Sequence, residues 1–346
     1  MQNVIIAGFG FMGAMHAQVY QRIPQVRITA VVNDNIERAR AELARLGLEA
    51  PVFADLDEAL ASGPCDFIDI CLRTDQHAPF ALRAIAAGKH VFCEKPLALN
   101  LEDAHAIIAA AEAAGTLAQV GQCIRFWPEY VAFKEFVESG KAGKLLSLTM
   151  QRRAGRPSYS TSNWLQQGEK SGGAALDLHI HDTDFVHHLL GRPSAVTARG
   201  TFDFSGCAHI FTTYHFDHVL VTAEGGWNYP VNWGFQMAFQ AVFEQGAVEY
   251  DSRATPTLTV TLGDGKPEAL PFVEPGVGES ATKIGNVSSL GGYFNELVHF
   301  VACLERGEAP RTATLRQAAE SLETVLLEVE SARTGRTVAL ATAPSV

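Results

Sequence analysis

The glycine-rich turn Gly8-Phe9-Gly10-Phe11-Met12-Gly13 is the feature that most constrains what this chain can fold into. It lies between a short apolar run, Val4-Ile5-Ile6-Ala7, and a segment from Ala14 to Ile23 that reads as a helix. In that setting each glycine has a use. The first permits a tight turn, the second lets backbone approach a pyrophosphate, and the third lets helix and strand pack closely. The amides of the helix N-terminus then face the phosphates. The pattern alone is weak, and the segments behind it strengthen it. Ile28 to Val32, Val52-Phe53, Phe67 to Cys71, His90 to Cys93 and Thr116 to Val120 read as apolar strands. Helical stretches at Glu37 to Leu46, Asp55 to Ala61, Gln76 to Ala87 and Leu101 to Ala114 separate them. Continuous apolar strands alternating with helices predict a parallel sheet covered on both faces.

A chain of 346 residues is too long for that core alone. After Gly121 the pattern changes. Pro128 to Ser139 reads as a helix. Longer strands follow at Leu145 to Arg152, Ala195 to Phe204, Ala208 to Phe216, Val219 to Trp227, Phe235 to Phe243, Ala247 to Tyr250 and Thr257 to Leu262. Phe235, Met237, Phe239, Ala241 and Phe243 repeat with a period of two, the mark of a sheet with one covered face. Helices return at Gly291 to Arg306 and Thr314 to Thr334, and Pro271 to Val287 reads as an exposed loop. The expectation is an α/β chain. Residues 1–121 form a dinucleotide-binding domain, and residues 122–346 an α+β domain with a mostly antiparallel sheet.

A formal net charge of −11 argues against nucleic acid or an anionic membrane as the main partner. The six cysteines contain no CxxC pair and sit in apolar strand contexts, as buried reduced thiols of a cytoplasmic protein would. No apolar run approaches a membrane span.

The end of the second strand bears on cofactor choice. An acidic residue about 20 residues past the glycines binds the ribose 2′-hydroxyl of NAD, whereas an arginine accommodates the 2′-phosphate of NADP. Asn33 falls 20 residues after Gly13, and Asp34 follows it. No arginine sits at the tip, although Arg38 is one helical turn on. The reading is NAD, with NADP as the alternative.

Further segments resemble one known family, the glucose–fructose oxidoreductase, inositol dehydrogenase and rhizopine-catabolism (Gfo/Idh/MocA) oxidoreductases. They are Gly8 to Gly13; Thr74-Asp75-Gln76-His77; Ala87 to Val91 leading into Glu94-Lys95-Pro96; and Gly172-Gly173 followed by Asp177 and His181. The resemblance runs over essentially the whole chain. It implies an N-terminal Rossmann domain and a C-terminal domain whose large open sheet often builds dimers or tetramers. It also implies metal-free NAD(P)-dependent redox chemistry on sugars, cyclitols or their derivatives. The family's catalytic lysine maps onto Lys95, and its active-site aspartate and histidine onto Asp177 and His181. Thr74 and His77 join the glycine turn, Asn33, Asp34, Arg38, Glu94 and Lys95 as expected cofactor contacts. Two positions depart from the pattern. Arg73 stands where many members carry proline, and the usual acidic residue after the second strand falls on Asn33.

The chemistry these residues suit is oxidation of a secondary alcohol, in which the hydroxyl proton leaves as the hydride leaves. A base near neutral pKa fits, and His181 is that candidate. Without the resemblance, a satisfied core histidine would be the preferred reading of it. Asp177 lies four residues earlier and shares a face with His181 if the stretch is helical. Lys95 follows a strand end, where its ammonium can stabilise alkoxide character on the reacting oxygen. Glu94 is placed to bind Lys95 or a ribose. Substrate contacts are expected from Lys95, Asp177, His181, Arg125 and Trp164, with Trp127, Arg153, Tyr159 and Tyr293 as further stacking or polar groups. Arg152, Arg153 and Arg156 read either as a basic pocket for an acidic substrate or as a solvated face. The close spacing of His179, His181, Asp182 and Asp184 is weak evidence for a metal, and none is expected. Two other functions fit the same residues: a glycoside hydrolase using NAD in a transient oxidation, and a non-catalytic NAD and sugar sensor. The intact Lys95, Asp177 and His181 argue against the sensor.

Overall fold

The computed structural model describes residues 1–158, 160–277 and 290–341. By internal contacts the chain forms two compact units. The first comprises Met1–Cys123, Ser160–Trp164 and Pro275–Ala319, and the second Ile124–Tyr159, Leu165–Glu274 and Glu320–Val346.

The first unit is built on strands β1 (Gln2–Ala7), β2 (Val26–Val32), β3 (Val52–Phe53), β4 (Phe67–Ile70), β5 (His90–Glu94) and β6 (Ala118–Gly121). Helices α1 (Phe11–Tyr20), α2 (Ile36–Arg45), α3 (Leu56–Ser62), α4 (Thr74–Ala86) and α5 (Leu101–Ala114) connect them. All pairings are parallel, in the order β3-β2-β1-β4-β5-β6. That order is the doubly wound dinucleotide-binding arrangement, in which ligands collect at the carboxyl ends of the strands. The helices stop where the sequence says they should. Asn35 and Asn100 cap α2 and α5, and Gly115 ends α5 with a φ of 64°.

The second unit holds α6 (Pro128–Ser139), β7 (Leu145–Gly155), the one-turn helix α7 (Gly168–Ser171) and α8 (Ile180–Leu190). Strands β8 (Ala195–Asp203), β9 (Gly206–His215), β10 (Leu220–Tyr229), β11 (Phe235–Phe243), β12 (Gly246–Asp251), β13 (Leu258–Leu262) and β14 (Glu268–Ala269) follow. After α9 (Gly291–Arg306) and α10 (Leu315–Thr334), β15 (Val338–Ala339) closes the sheet edge. The order is β14-β13-β12-β11-β7-β10-β9-β8-β15. Every pairing is antiparallel except that of β7 with β10. The period of two in β11 holds only from Phe239 onward, where Phe239, Ala241 and Phe243 are buried and Gln240 and Val242 exposed, whereas Gln236 and Ala238 are buried together with Met237.

The expected division into 1–121 and 122–346 cuts the chain once, whereas the contact units cut it several times. Residues 275–319, expected in the second domain, cluster with the first. The reason is α9: Tyr293, Glu296, Leu297 and Phe300 make one buried face, and this helix packs on α1 and β1. Helical periodicity shows that a helix has an apolar face but not which core receives it. No helix among the described residues is long and apolar enough to cross a membrane.

Candidate active site

The glycine turn joins β1 to α1, and its three glycines meet different surroundings. Gly8 has a φ of 93°, and a Cβ there would stand 2.6 Å from the Cys71 carbonyl oxygen. A Cβ on Gly13 would fall 2.0 Å from the Gly8 carbonyl oxygen. Those two positions are forced by backbone crowding. Gly10, the residue before α1, has nothing within 4 Å of its Cβ position. Open space at a helix N-terminus, bounded by backbone that cannot carry side chains, is what a pyrophosphate requires. The residues present therefore fit a dinucleotide.

At the tip of β2 the two candidate selectors have different environments. The Asn33 side-chain oxygen accepts the Phe9 backbone N–H at 3.0 Å, and its amide donates to the Asn35 carbonyl at 3.0 Å. Asp34 is exposed at the tip. Arg38 lies in the first turn of α2, its backbone N–H accepted by the Asn35 side chain at 3.0 Å.

Lys95 directly follows β5, at the carboxyl edge shared with the glycine turn and Asn33. Its backbone N–H donates to Glu94 Oε2 at 3.2 Å, and the peptide to Pro96 is cis. Gly121, opposite Glu94 in β6, makes room for that carboxylate, because a Cβ there would meet Glu94 Oε1 at 3.0 Å. Thr74 opens α4 and is buried. His77, an expected cofactor contact, has backbone neighbours in the structure. It is buried, with Nδ1 2.7 Å from the Pro96 carbonyl oxygen and Nε2 3.0 Å from that of Leu72. Each ring nitrogen faces a backbone carbonyl and the neutral ring can donate to one of them, so His77 links the loop after β4 to the Lys95-Pro96 segment. Burial pushes its pKa below the ordinary histidine value, with the two carbonyls acting the other way. Arg73 caps the approach to α4 and pairs with Asp75 at 3.1 Å.

In the second unit Asp177 and His181 lie four residues apart, but not on one regular α-helix. Ala175–His179 forms a π-helical turn that runs into α8. Such turns are rare and concentrate at functional sites. The turn is seated on β10 where that strand has no side chain: a Cβ on Gly225 would stand 2.6 Å from His179. The neighbours of His181 point to other partners. His179 Nε2 is 2.7 Å from Glu328, Asp182 accepts Arg152 at 2.7 Å, and Asp184 accepts Arg125 at 2.7 and 2.8 Å. These groups diverge rather than converge on a shared metal position.

That network reassigns several sequence candidates. Arg125, expected at the substrate, is buried and forks onto Asp184, whose Oδ1 also accepts the Ser321 hydroxyl at 2.8 Å. Arg152, Arg153 and Arg156 do not act as one basic cluster, although the half-buried Arg153 lines a cavity on the sheet with Gln151 and Gln236. Arg152 is fully buried on Asp182, Arg153 donates to Gln151 and Gln236, and Arg156 pairs with Asp203. Trp127 is buried in the second unit, whereas the half-buried Trp164 clusters with the first. Tyr293 is core, with its ring 6.5 Å from that of His16. Tyr159 lies outside the described residues. The sequence reading passed over His16, Asp69 and Glu296, all fully buried in the first unit. A histidine inside α1 and an acidic residue inside an apolar strand were the available signals.

Comparison with known proteins agrees with this geometry. Residues 2–122 match the profile described as oxidoreductase family, NAD-binding Rossmann fold, and residues 130–249 match the GFO/IDH/MocA C-terminal domain. Inositol 2-dehydrogenase 2 of Saccharopolyspora erythraea is 30% identical over 78% of this chain and 79% of its own length. D-apiose dehydrogenase of Paraburkholderia graminis is 28% identical over 99% of this chain and 91% of its own. The fold is also that of a levoglucosan dehydrogenase solved with NADH and levoglucosan, with a TM-score of 0.84 at 22% identity, covering 98% of this chain and 99% of that one. With the parallel sheet, the open Gly10 cradle and both domain profiles in agreement, the chain is an NAD-binding oxidoreductase and belongs to the Gfo/Idh/MocA family.

Proposed function

We propose that this protein is an NAD-dependent dehydrogenase that oxidises a secondary alcohol of a sugar or cyclitol, with Lys95 and His181 handling the proton. The observation that carries the reading is the position of Lys95. It sits at the carboxyl end of β5, on the same strand edge as the Gly10 cradle, with its backbone N–H held by Glu94 and the carbonyl of the following Pro96 facing His77. Bound NAD supplies the hydride acceptor. Lys95 donates a hydrogen bond to the reacting oxygen and stabilises its developing negative charge. His181 takes the hydroxyl proton, and Asp177 orients the imidazole. The names of the relatives, inositol 2-dehydrogenase and D-apiose dehydrogenase, set the substrate class to be searched.

The outer face of the large sheet supports assembly with further copies of this chain. Leu220 is 76% exposed and Phe211 56%, on neighbouring strands flanked by threonines. Apolar side chains on an open face suit a self-complementary contact.

The test is NADH formation at saturating cofactor across cyclitols, aldoses and sugar acids, with NADP in parallel. A substrate that reduces NAD, and whose turnover collapses in Lys95→Ala, establishes the reading. Release of free sugar from a glycoside without net NADH overturns it in favour of hydrolysis.

A further inference from the structure

Behind Lys95, inside the first unit, lies a cluster of ionisable groups that the proposed chemistry does not use. From α1 come His16 and Tyr20, from β4 Asp69, from the position just after β4 Cys71, from β5 Cys93 and Glu94, and from α9 Tyr293 and Glu296. All are buried, Glu94 showing 4% of its surface, and Phe92 and Phe300 wall the site. Three carboxyl groups share this apolar space with one imidazole.

Donors and acceptors can be counted. Asp69 accepts the Tyr20 hydroxyl at 2.9 Å, faces His16 Nδ1 at 2.9 Å and accepts the Cys71 thiol at 3.4 Å. Glu94 accepts the Lys95 backbone N–H at Oε2, and its Oε1 lies 3.1 Å from His16 Nε2. Donors thus surround the Asp69 carboxylate, and His16 lies between it and Glu94, whose Oε1 it faces at 3.1 Å without a hydrogen bond. The third carboxyl has no such support. Glu296 is fully buried, and neither of its oxygens has a hydrogen-bond partner. One of them lies within 4.8 Å of both a His16 ring nitrogen and a Glu94 carboxylate oxygen, and Glu94 Oε1 is without a hydrogen bond. A buried acceptor pair with no donor is costly as an anion, and the cost disappears if the group carries the proton itself.

We propose that Glu296 is held as a neutral carboxylic acid whose O–H is offered to the Glu94 carboxylate, directly after a side-chain rotation or through one bridging water, making Glu296 a positioning residue for the Glu94-Lys95 turn. Burial raises its pKa well above the carboxylate range, the Glu94 and Asp69 charges act in the same direction, and only His16 opposes them. His16 is raised well above the ordinary histidine value despite burial, through Asp69 first and Cys71 next, in keeping with an imidazolium. Gly121 leaves the Glu94 carboxylate its space, so Glu94 can serve as the hub between Glu296, His16 and the Lys95 backbone. The role rests on the reading of Lys95 given above, whereas the protonation state does not.

The test compares full-length wild type, Glu296→Gln and Glu296→Leu. The leucine variant removes the proton donor, and the glutamine variant replaces it with an amide N–H. Infrared difference spectra at neutral pH should show the carbonyl stretch of a buried carboxylic acid in wild type and lose it in Glu296→Gln. With a substrate in hand, Glu296→Leu should lower kcat by on the order of 10-fold to 100-fold, the scale of an ångström-sized misplacement, with little change in NAD affinity. Glu296→Gln should restore most of that loss. Absence of the acid band overturns the proposal. So does a stoichiometric metal, found by elemental analysis of wild type and lost in Glu296→Gln, because Glu296 would then be an anionic ligand. Wild-type kcat and pH profile in Glu296→Leu overturn the positioning role. If Glu296→Leu does not fold, the infrared comparison with Glu296→Gln still decides the protonation state. An acid band that persists alongside full activity of Lys95→Ala refutes the Lys95 reading alone.

Discussion

The side chain of Asn33 accepts the backbone N–H of Phe9 at 3.0 Å, tying the tip of β2 to the glycine turn. The position that would ordinarily present an acid to the ribose is thereby occupied in fixing the cradle. We propose that selection between NAD and NADP falls to its neighbour, the exposed Asp34. Replacing Asp34 with serine removes the charge that repels a 2′-phosphate and the acceptor for a 2′-hydroxyl. The NAD KM should rise about 10-fold, the scale of one charge-assisted hydrogen bond, while the NADP KM falls. Steady-state kinetics with both cofactors checks this, and unchanged preference would return the choice to Arg38.

Lys95→Ala should lower kcat by roughly 10²- to 10⁴-fold, the usual contribution of a positioned proton-transfer group. NAD affinity, read by fluorescence titration, should change little, since the Gly10 cradle is untouched. An equal loss in Kd and kcat would mean that Lys95 serves the cofactor instead of the chemistry.

Arg152 and Asp182 are both fully buried and joined at 2.7 Å. Asp182→Ala leaves the guanidinium without its partner and should cost about 3–5 kcal/mol of stability, measured by urea unfolding. Breaking this pair also loosens the first turn of α8, so His181 should lose its fixed orientation together with stability. A loss below about 1 kcal/mol, the level of a surface pair, would contradict the buried geometry.

His187 and His188 predict an acid limit. Burial pushes both pKa values down to about 4, with the charge of Arg125 acting in the same direction and Asp184 opposing it. The unfolded chain takes up protons near the ordinary histidine value of about 6.5 and the folded chain only near 4, so unfolding binds protons between them. Stability contributed by the neutral rings is present above about 6.5 and lost as pH falls toward 4. Thermal melts across that window should show a declining Tm, and His187→Gln should flatten the decline.

Much was legible in the chain because the signals were local. The glycine turn, the apolar strands and the Gly115 stop of α5 depend on neighbouring residues only, and β11 and α9 run over the residues expected for them. The surroundings that the sequence did not reveal were those of long polar side chains. Arg125 and Arg152 look like surface or substrate groups in sequence, since an arginine is seldom buried without a partner. Their partners, Asp184 and Asp182, lie 59 and 30 residues away.

The sequence by itself determined the order of strands and helices, the turn that must be glycine and the strand end that carries Lys95, because backbone propensity and side-chain periodicity act over a few residues. Only the tertiary structure decided which core receives α9, which acids meet Arg125 and Arg152, and that His77 lies between two backbone carbonyls. It alone placed Glu296 beside Glu94, 202 residues earlier in the chain. Burial and charge pairing depend on what faces a group in space, and no local pattern encodes a partner so far along the chain.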